Sequence, residues 1–186
     1  SRGLGDVYKR QEYGGVFKIT EGFVELFGKE RVRNTPICES SIIEIAMGLS
    51  ICNRKSIVEL QFSDFITSGF NPVVNYLAKV HYRWGQNADV VLRMPCGAGV
   101  GAGPFHSQTN EAWFTKTPGL VVVYPAFPED AKGLLISSIE NPNPVLFFEH
   151  KALYRSIRGK VPEGYYNIEI GKAKLLKVGN DITVIT

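Results

Sequence analysis

A glutamate stands at the junction of a short apolar strand and an apolar helix, in Asn34-Thr35-Pro36-Ile37-Cys38-Glu39-Ser40-Ser41, and a glycine-rich run further along ends in Phe105-His106-Ser107-Gln108. These two places carry the side chains best suited to moving protons. Glu39 follows Pro36 and Ile37 and precedes Ile42, Ile43, Ala46 and Met47, so its carboxylate emerges at a helix N-terminus flanked by hydrocarbon. Helix amides there favour the anion, whereas apolar burial favours the neutral acid. If burial prevails, the carboxyl can give and take a proton near neutral pH. The alternative is an ordinary solvated glutamate opening a helix. His106 can shuttle protons in the same range if Phe105, Ser107 and Gln108 fix its tautomer in a pocket, and is otherwise an idle loop histidine.

Other patterns carry less chemistry. The run Gly97 to Gly103 fits the G-x-G-x-x-A form of a dinucleotide-binding turn, but Pro95 and Cys96 separate it from the preceding strand and Gly103-Pro104 breaks the helix that should follow. No acidic residue ends a following strand at the expected distance. A glycine-rich loop that lets a ligand approach the backbone is the better reading. His81 falls on an apolar helix face and reads as a core or interface residue, and His150, at a strand end, receives no role. No His/Cys/Asp cluster has the spacing of a zinc site, and no Gly-Asp-Gly motif for a magnesium diphosphate is present.

The elements that must position Glu39 and His106 follow from periodicity and punctuation. Ile19, Phe23, Leu26 and Phe27 fall on one helical face stopped by Gly28, and Arg31 to Asn34 reads as a short strand. Ser40 or Ser41 can cap a helix running to about Cys52, followed by a strand over Ile57 to Gln61. Asn71-Pro72 opens a helix with Val73, Val74, Leu77, Val80, His81 and Trp84 on its apolar face, ending at Gly85. Val90 to Arg93 is a buried strand, Asn110 caps a helix through Trp113 and Phe114, and Leu120 to Tyr124 is again strand. Pro128-Glu129-Asp130 opens a helix through Leu134, Leu135 and Ile139, and Val145 to Glu149 closes the series. Wholly apolar strands alternating with amphipathic helices imply an α/β fold: a doubly wound, mostly parallel sheet with helices on both faces. Ligands in such folds bind outside the carboxyl ends of the strands, and Glu39, Gln61, Phe65, Met94 to His106 and the turn after Tyr124 all lie just past strand ends.

Length and composition bound the rest. A chain of 186 residues has room for one domain with a sizeable core, burying about 70% of its unfolded surface. With 44% apolar and 21% charged residues it reads as a soluble globular protein, and no apolar run approaches the ~20 residues of a membrane span. A net charge of +3, with Lys and Arg scattered, calls for neither nucleic acid nor an anionic membrane. Cys38, Cys52 and Cys96 read as buried free thiols in a reducing compartment. Residues 1–11 lack a clear period and read as a foreign or disordered segment, 12–158 as the α/β domain, 159–169 as a linker, and 170–186 as the start of a truncated C-terminal domain.

In order along the chain, Gly14-Gly15-Val16-Phe17, Asn34 to Glu39, Glu59 to Phe65, Gly97 to Gly103 with His106-Ser107-Gln108, Pro118-Gly119, Asp130 to Leu135 and Asn143-Pro144 form a series. With it, Glu12 to Thr186 resembles the β subunit of the E1 component of 2-oxo acid dehydrogenases, in its transketolase-like domain that binds the pyrimidine of thiamin diphosphate. The resemblance implies an enzyme active only with its α partner. Glu39 would be the cofactor-activating glutamate, hydrogen-bonding the aminopyrimidine N1′. Gln61 and Phe65 would line the pyrimidine pocket, Ile37 would add a backbone or apolar contact, and His106 would serve when the acyl group passes to a lipoyl arm. Relatives often carry tyrosine where Phe65 stands, so a hydroxyl contact is lost.

The missing Gly-Asp-Gly motif fits the same picture, because in that family the diphosphate and Mg²⁺ are held by an α subunit or by an α-like half of a fused chain. A structural K⁺ on carbonyls near Ser138, Asn141 and Asn143 is also implied. So are an α2β2 heterotetramer, a lipoyl-bearing E2 acyltransferase core, and a home in the bacterial cytoplasm or the mitochondrial matrix. Gly14 to Phe17, Thr35 to Glu39, Gln61 to Asp64 and Leu153-Tyr154-Arg155 look more like the branched-chain members than the pyruvate members. Other readings are a different thiamin enzyme of the transketolase group, which would need further histidines, and a non-catalytic nucleotide-binding or assembly module.

Overall fold

The computed structural model describes residues 14–185, so the polar segment 1–11 lies outside it. In chain order the elements are α1 (Phe23–Phe27), α2 (Glu39–Ile51), β1 (Ser56–Glu59), a 3₁₀ turn (Ser63–Thr67), a π-helical turn (Pro72–Leu77) running into α3 (Ala78–Trp84), and β2 (Val90–Cys96). Two further 3₁₀ turns (Pro104–His106 and Glu111–Trp113) precede β3 (Val121–Val123), α4 (Pro128–Glu140), β4 (Val145–His150) and α5 (Leu153–Ser156).

The four strands form one sheet in the order β1-β2-β4-β3, and every pair is parallel. The path from β1 to β2 crosses the sheet one way and the path from β3 to β4 crosses it the other way. Parallel crossovers are right-handed, so the two connections lie on opposite faces. The packing agrees, because strand side chains alternate between faces. Val90, Leu92, Met94 and Cys96 of β2, with Leu146 and Phe148 of β4, meet Ile43 and Ala46 of α2, Val73 and Leu77 of the π turn, and Val80 of α3. On the other face Val91, Val123, Val145 and Phe147 meet Leu134, Leu135 and Ile139 of α4. Leu92, Met94, Leu146 and Phe148 are all at 0% exposure, and burying a side chain of this size contributes about 1.5 to 3 kcal/mol.

The doubly wound parallel sheet is as expected, but several elements differ. Arg31 to Asn34 is not a strand: the amides of Arg31 and Val32 both turn back to the Gly28 carbonyl at 3.1 Å, and Arg33 binds Glu30. Helix α2 begins at Glu39, with Cys38 rather than a serine in the cap position. The helix after Asn71 opens with a wide π turn, which shifts the apolar face. Val73, Leu77 and Val80 stay inside, while His81 is exposed and Trp84 stands 65% exposed, so neither joins the core. Asn110 starts only a single 3₁₀ turn, because its side chain donates to the Ser63 carbonyl at 2.8 Å instead of capping a helix. Cys38 and Cys52 are exposed, and only Cys96 is buried.

The segment 159–169, expected as a linker, is docked on α4. Lys132 donates to the carbonyls of Pro162 and Gly164 at 2.7 Å each, the Tyr166 hydroxyl donates to the Glu129 carbonyl at 2.7 Å, and the Ile168 amide donates to Ser137 Oγ at 3.0 Å. Gly133 is the point of closest approach: a Cβ there would lie 2.6 Å from Ile168 Cγ1. Beyond it, Ile182, Val184 and Ile185 are 81%, 77% and 92% exposed and form no strand.

Candidate active site

The carboxyl ends of the strands gather most of the residues singled out above. Gln61 lies two residues past the end of β1, and its peptide bond to Phe62 is cis. Phe65 sits in the 3₁₀ turn Ser63–Thr67, and His106 ends the 3₁₀ turn that closes the glycine-rich loop after β2. The His106 ring stands edge-on to Phe65, with centroids 5.3 Å apart at 80°, and edge-on to Phe62 at 5.9 Å and 74°. Two loops distant in sequence therefore meet in one aromatic corner. Glu39, half-buried, opens α2, whose first turn packs near the Phe65 turn: a Cβ placed on Gly69, just past that turn, would lie 3.5 Å from the Glu39 backbone carbonyl. Ile37 is 72% exposed.

Polar groups lock the two loops in place. Asp64, 5% exposed, accepts the Gln108 amide at 3.0 Å, and Asn110 reaches the Ser63 carbonyl, so the turn bearing Phe65 is stitched twice to the segment that follows His106. The neck of that loop is closed by the Gly97 amide donating to the Gln108 carbonyl at 2.9 Å. Gly97 has φ +78°, and a Cβ there would meet His150 Nε2 at 2.4 Å, so this glycine admits the chain's own imidazole. His150 thus has a packing role, with its Nδ1 accepting the Ala152 amide at 3.3 Å. Around Gly101 and Gly103 the space is open.

Behind the corner lies a charged network. Arg93, 5% exposed in the middle of β2, pairs with Glu59 at the end of β1 and Glu149 in β4; its Nη2 to Glu149 Oε2 distance is 2.8 Å. The Tyr154 hydroxyl also donates to Glu149, and Phe17 packs edge-on against Tyr154 at 4.9 Å. Burial works against the Arg93 charge, but the Glu149 hydrogen bond and the charges of Glu149 and Glu59 outweigh it and hold the guanidinium protonated. Burial and the adjacent Glu149 push the Tyr154 phenol upward. Gln61 Nε2 donates to Glu59 Oε1 at 2.6 Å, which leaves Gln61 Oε1 buried and without a partner. Lys151, 2% exposed, holds its ammonium 4.4 Å from the Phe62 ring centroid, and burial lowers its pKa against the pull of Asp64.

Sequence reasoning missed Arg93, Glu59, Glu149, Asp64 and Lys151. One signal was available: an arginine inside the run Val90-Val91-Leu92-Arg93-Met94 must find carboxylates on neighbouring strands. For a monovalent cation near Ser138, Asn141 and Asn143 the setting is specific. The Lys55 ammonium already donates to the carbonyls of Ile139 and Asn141 at 2.8 and 3.3 Å. Among the described residues no group of three or more His, Cys, Asp or Glu can hold a metal ion, and no helix is long and apolar enough to cross a membrane.

Comparison with known proteins points the same way. The chain is 46% identical over 175 residues to the 2-oxoisovalerate dehydrogenase subunit beta of Bacillus subtilis, covering 93% of this chain and 54% of that protein. It is 46% identical over 176 residues to the mitochondrial 2-oxoisovalerate dehydrogenase subunit beta 2 of Arabidopsis thaliana, covering 93% and 49%. It is 45% identical over 175 residues to a pyruvate dehydrogenase E1 component subunit beta of Staphylococcus aureus, covering 93% and 54%. The chain therefore spans about half the length of the curated relatives it matches. Residues 4–156 match the family described as the transketolase pyrimidine-binding domain, and with the parallel sheet and the site at its carboxyl edge, the chain belongs to that family.

Proposed function

We propose that this chain carries the pyrimidine-binding part of a β-type subunit of a thiamin diphosphate-dependent 2-oxo acid dehydrogenase E1. Its reaction is the oxidative decarboxylation of branched-chain 2-oxo acids with reductive acylation of a lipoyl group. The observation that carries this reading is the buried, unpartnered carbonyl oxygen of Gln61, whose chain neighbour Phe62 forms the aromatic corner with Phe65 and His106. An aminopyrimidine suits that donor set: a flat π face for Phe65, N–H groups for an orphaned acceptor, and a ring nitrogen for the Glu39 carboxyl. When bound, thiamin diphosphate supplies a carbon nucleophile for the keto group and a sink for the electron pair released with CO₂. Glu39 holds a proton at the ring nitrogen, Gln61 and Phe65 orient the ring, Ile37 shields its edge, and His106 places or moves a proton on the acyl side. The aromatic and apolar lining excludes water.

On this reading the diphosphate and Mg²⁺ are held by an α subunit or a fused α half, since this sequence has no Gly-Asp-Gly motif. The assembly is an α2β2 heterotetramer that serves a lipoyl-bearing E2 core, in the cytoplasm of a bacterium or the matrix of a mitochondrion. A structural K⁺ near Ser138, Asn141 and Asn143 binds only by displacing or sharing the carbonyls held by Lys55. Pyruvate is the second substrate reading, supported by an identity to a pyruvate dehydrogenase subunit that is only one percentage point lower.

The test is 2-oxo acid-dependent dye reduction by the full-length chain assembled with its α subunit, thiamin diphosphate and Mg²⁺, comparing 3-methyl-2-oxobutanoate with pyruvate. Preference for the branched acid supports the proposal, preference for pyruvate moves the chain to the second reading, and turnover of neither refutes both. In the same complex Glu39→Gln should bind cofactor and slow exchange of its C2 proton. Normal exchange in that variant removes the role given to Glu39.

A further inference from the structure

The charged network behind the aromatic corner has a direction. Arg93 bridges Glu59 and Glu149, with side-chain exposures of 6%, 25% and 12% respectively. A guanidinium only donates and a carboxylate only accepts. One Glu59 oxygen takes Arg93 Nη1, and the other takes Gln61 Nε2 at 2.6 Å. The Gln61 amide therefore has one permitted orientation. Rotating it end for end would set a carbonyl oxygen against an anionic carboxylate that Arg93 keeps in place. The permitted orientation turns Gln61 Oε1 away from the network, where it is buried and lacks a donor.

We propose that Glu59 and Arg93 are positioning residues that fix the Gln61 amide with its carbonyl oxygen toward the ligand, selecting a ligand that brings an N–H or O–H donor to that point. The proposal deepens the function proposed above and rests on it for the ligand's identity. The internal polarity is independent of that reading, since it follows from the donor and acceptor types along the chain Arg93, Glu59, Gln61. Glu59 and Arg93 act through Gln61 and need not touch the ligand.

A double-mutant cycle on cofactor binding isolates this coupling. The full-length chain, assembled with its α subunit, is titrated with thiamin diphosphate in Mg²⁺ by calorimetry. Gln61→Met is expected to raise Kd about tenfold, the loss typical of one buried hydrogen-bonding group left unpaired. Glu59→Gln, isosteric but able to present either a donor or an acceptor, is expected to raise it by a comparable factor. The double variant should bind no more weakly than Gln61→Met alone. Independent effects that multiply to about a hundredfold overturn the positioning role and leave Gln61 as a ligand contact. No change in Kd for Gln61→Met overturns the cofactor contact itself. Glu59→Asp serves as the second route if Glu59→Gln does not assemble: it keeps a negative charge beside Arg93 while drawing the carboxylate back from Gln61, and the same non-multiplying pattern is required of it.

Discussion

Replacing Arg93 with methionine tests how far the sheet depends on one cation. Arg93→Met keeps most of the hydrocarbon volume and removes the charge that faces Glu59 and Glu149. Glu149, with only 12% of its side chain exposed, keeps the Tyr154 hydroxyl as a donor, and Glu59, at 25%, keeps the Gln61 amide and some solvent. Neither remaining donor is charged. Breaking a buried pair from one side typically costs about 3 to 5 kcal/mol, and in a domain of this size each kcal/mol lowers Tm by about 2 to 4 °C. The expected fall is therefore about 6 to 20 °C, read by thermal denaturation of the full-length chain. A triple variant that also carries Glu59→Gln and Glu149→Gln should recover at least half of the loss, because no buried charge is then left alone. A fall of less than about 2 °C for Arg93→Met, or a triple variant no better than the single one, would refute the account of Arg93 as the counter-ion of this sheet.

Three further outcomes follow from the site and its surroundings. In the assembled complex His106→Ala should lose more rate in transfer to a lipoyl acceptor than in decarboxylation with an artificial acceptor; equal loss in both assays, or none, would count against its assignment. Because the Lys55 ammonium competes for the carbonyls of Ile139 and Asn141, the gain in Tm in KCl over choline chloride at equal ionic strength should be larger in Lys55→Met than in the parent protein; an equal or smaller gain would contradict this. The exposed Cys38 thiol is shifted downward by the Ser41 hydroxyl, while burial pushes Cys96 up to about 11. Alkylation by iodoacetamide at pH 7.5 should therefore modify Cys38 and spare Cys96 in the folded chain, as read by peptide mass mapping, and early labelling of Cys96 would overturn the assignment. A folded-state value above the ordinary 9.0 also means that Cys96 contributes stability at lower pH that is lost as pH rises from 9.0 towards about 11.

The parallel sheet was legible because its strands are apolar on both faces and its helices have stops such as Gly85, which caps α3 at φ +66°. Gln61, Phe65 and His106 could be placed past strand ends from order alone, since strand ends share one edge in such a sheet, whereas the strand expected before Glu39 does not form. What could not be read was how the two loops meet. Asp64 to the Gln108 amide and Asn110 to the Ser63 carbonyl span 44 and 47 residues, and nothing local to either side chain names its partner. Arg31 to Asn34 misled because strand propensity yields to nearby turn hydrogen bonds, and Trp84 misled because the π turn shifts the helical register, so that Val80 still faces the core while His81 and Trp84 do not. The docked segment 159–169 was hidden by its own Pro and Gly content, which also suits a chain lying flat against a helix.

Seven consecutive buried positions in β2, hydrogen-bonded to β1 on one side and β4 on the other, make its amides the ones that exchange with solvent only when the whole domain opens. The loop carrying His106 hangs from the end of that strand, and its neck is tied by Gly97 to Gln108. Its tip can therefore fluctuate on short timescales while its root keeps time with global unfolding. A substitution that softens the tip would alter how often the corner is formed without registering in the stability of the domain.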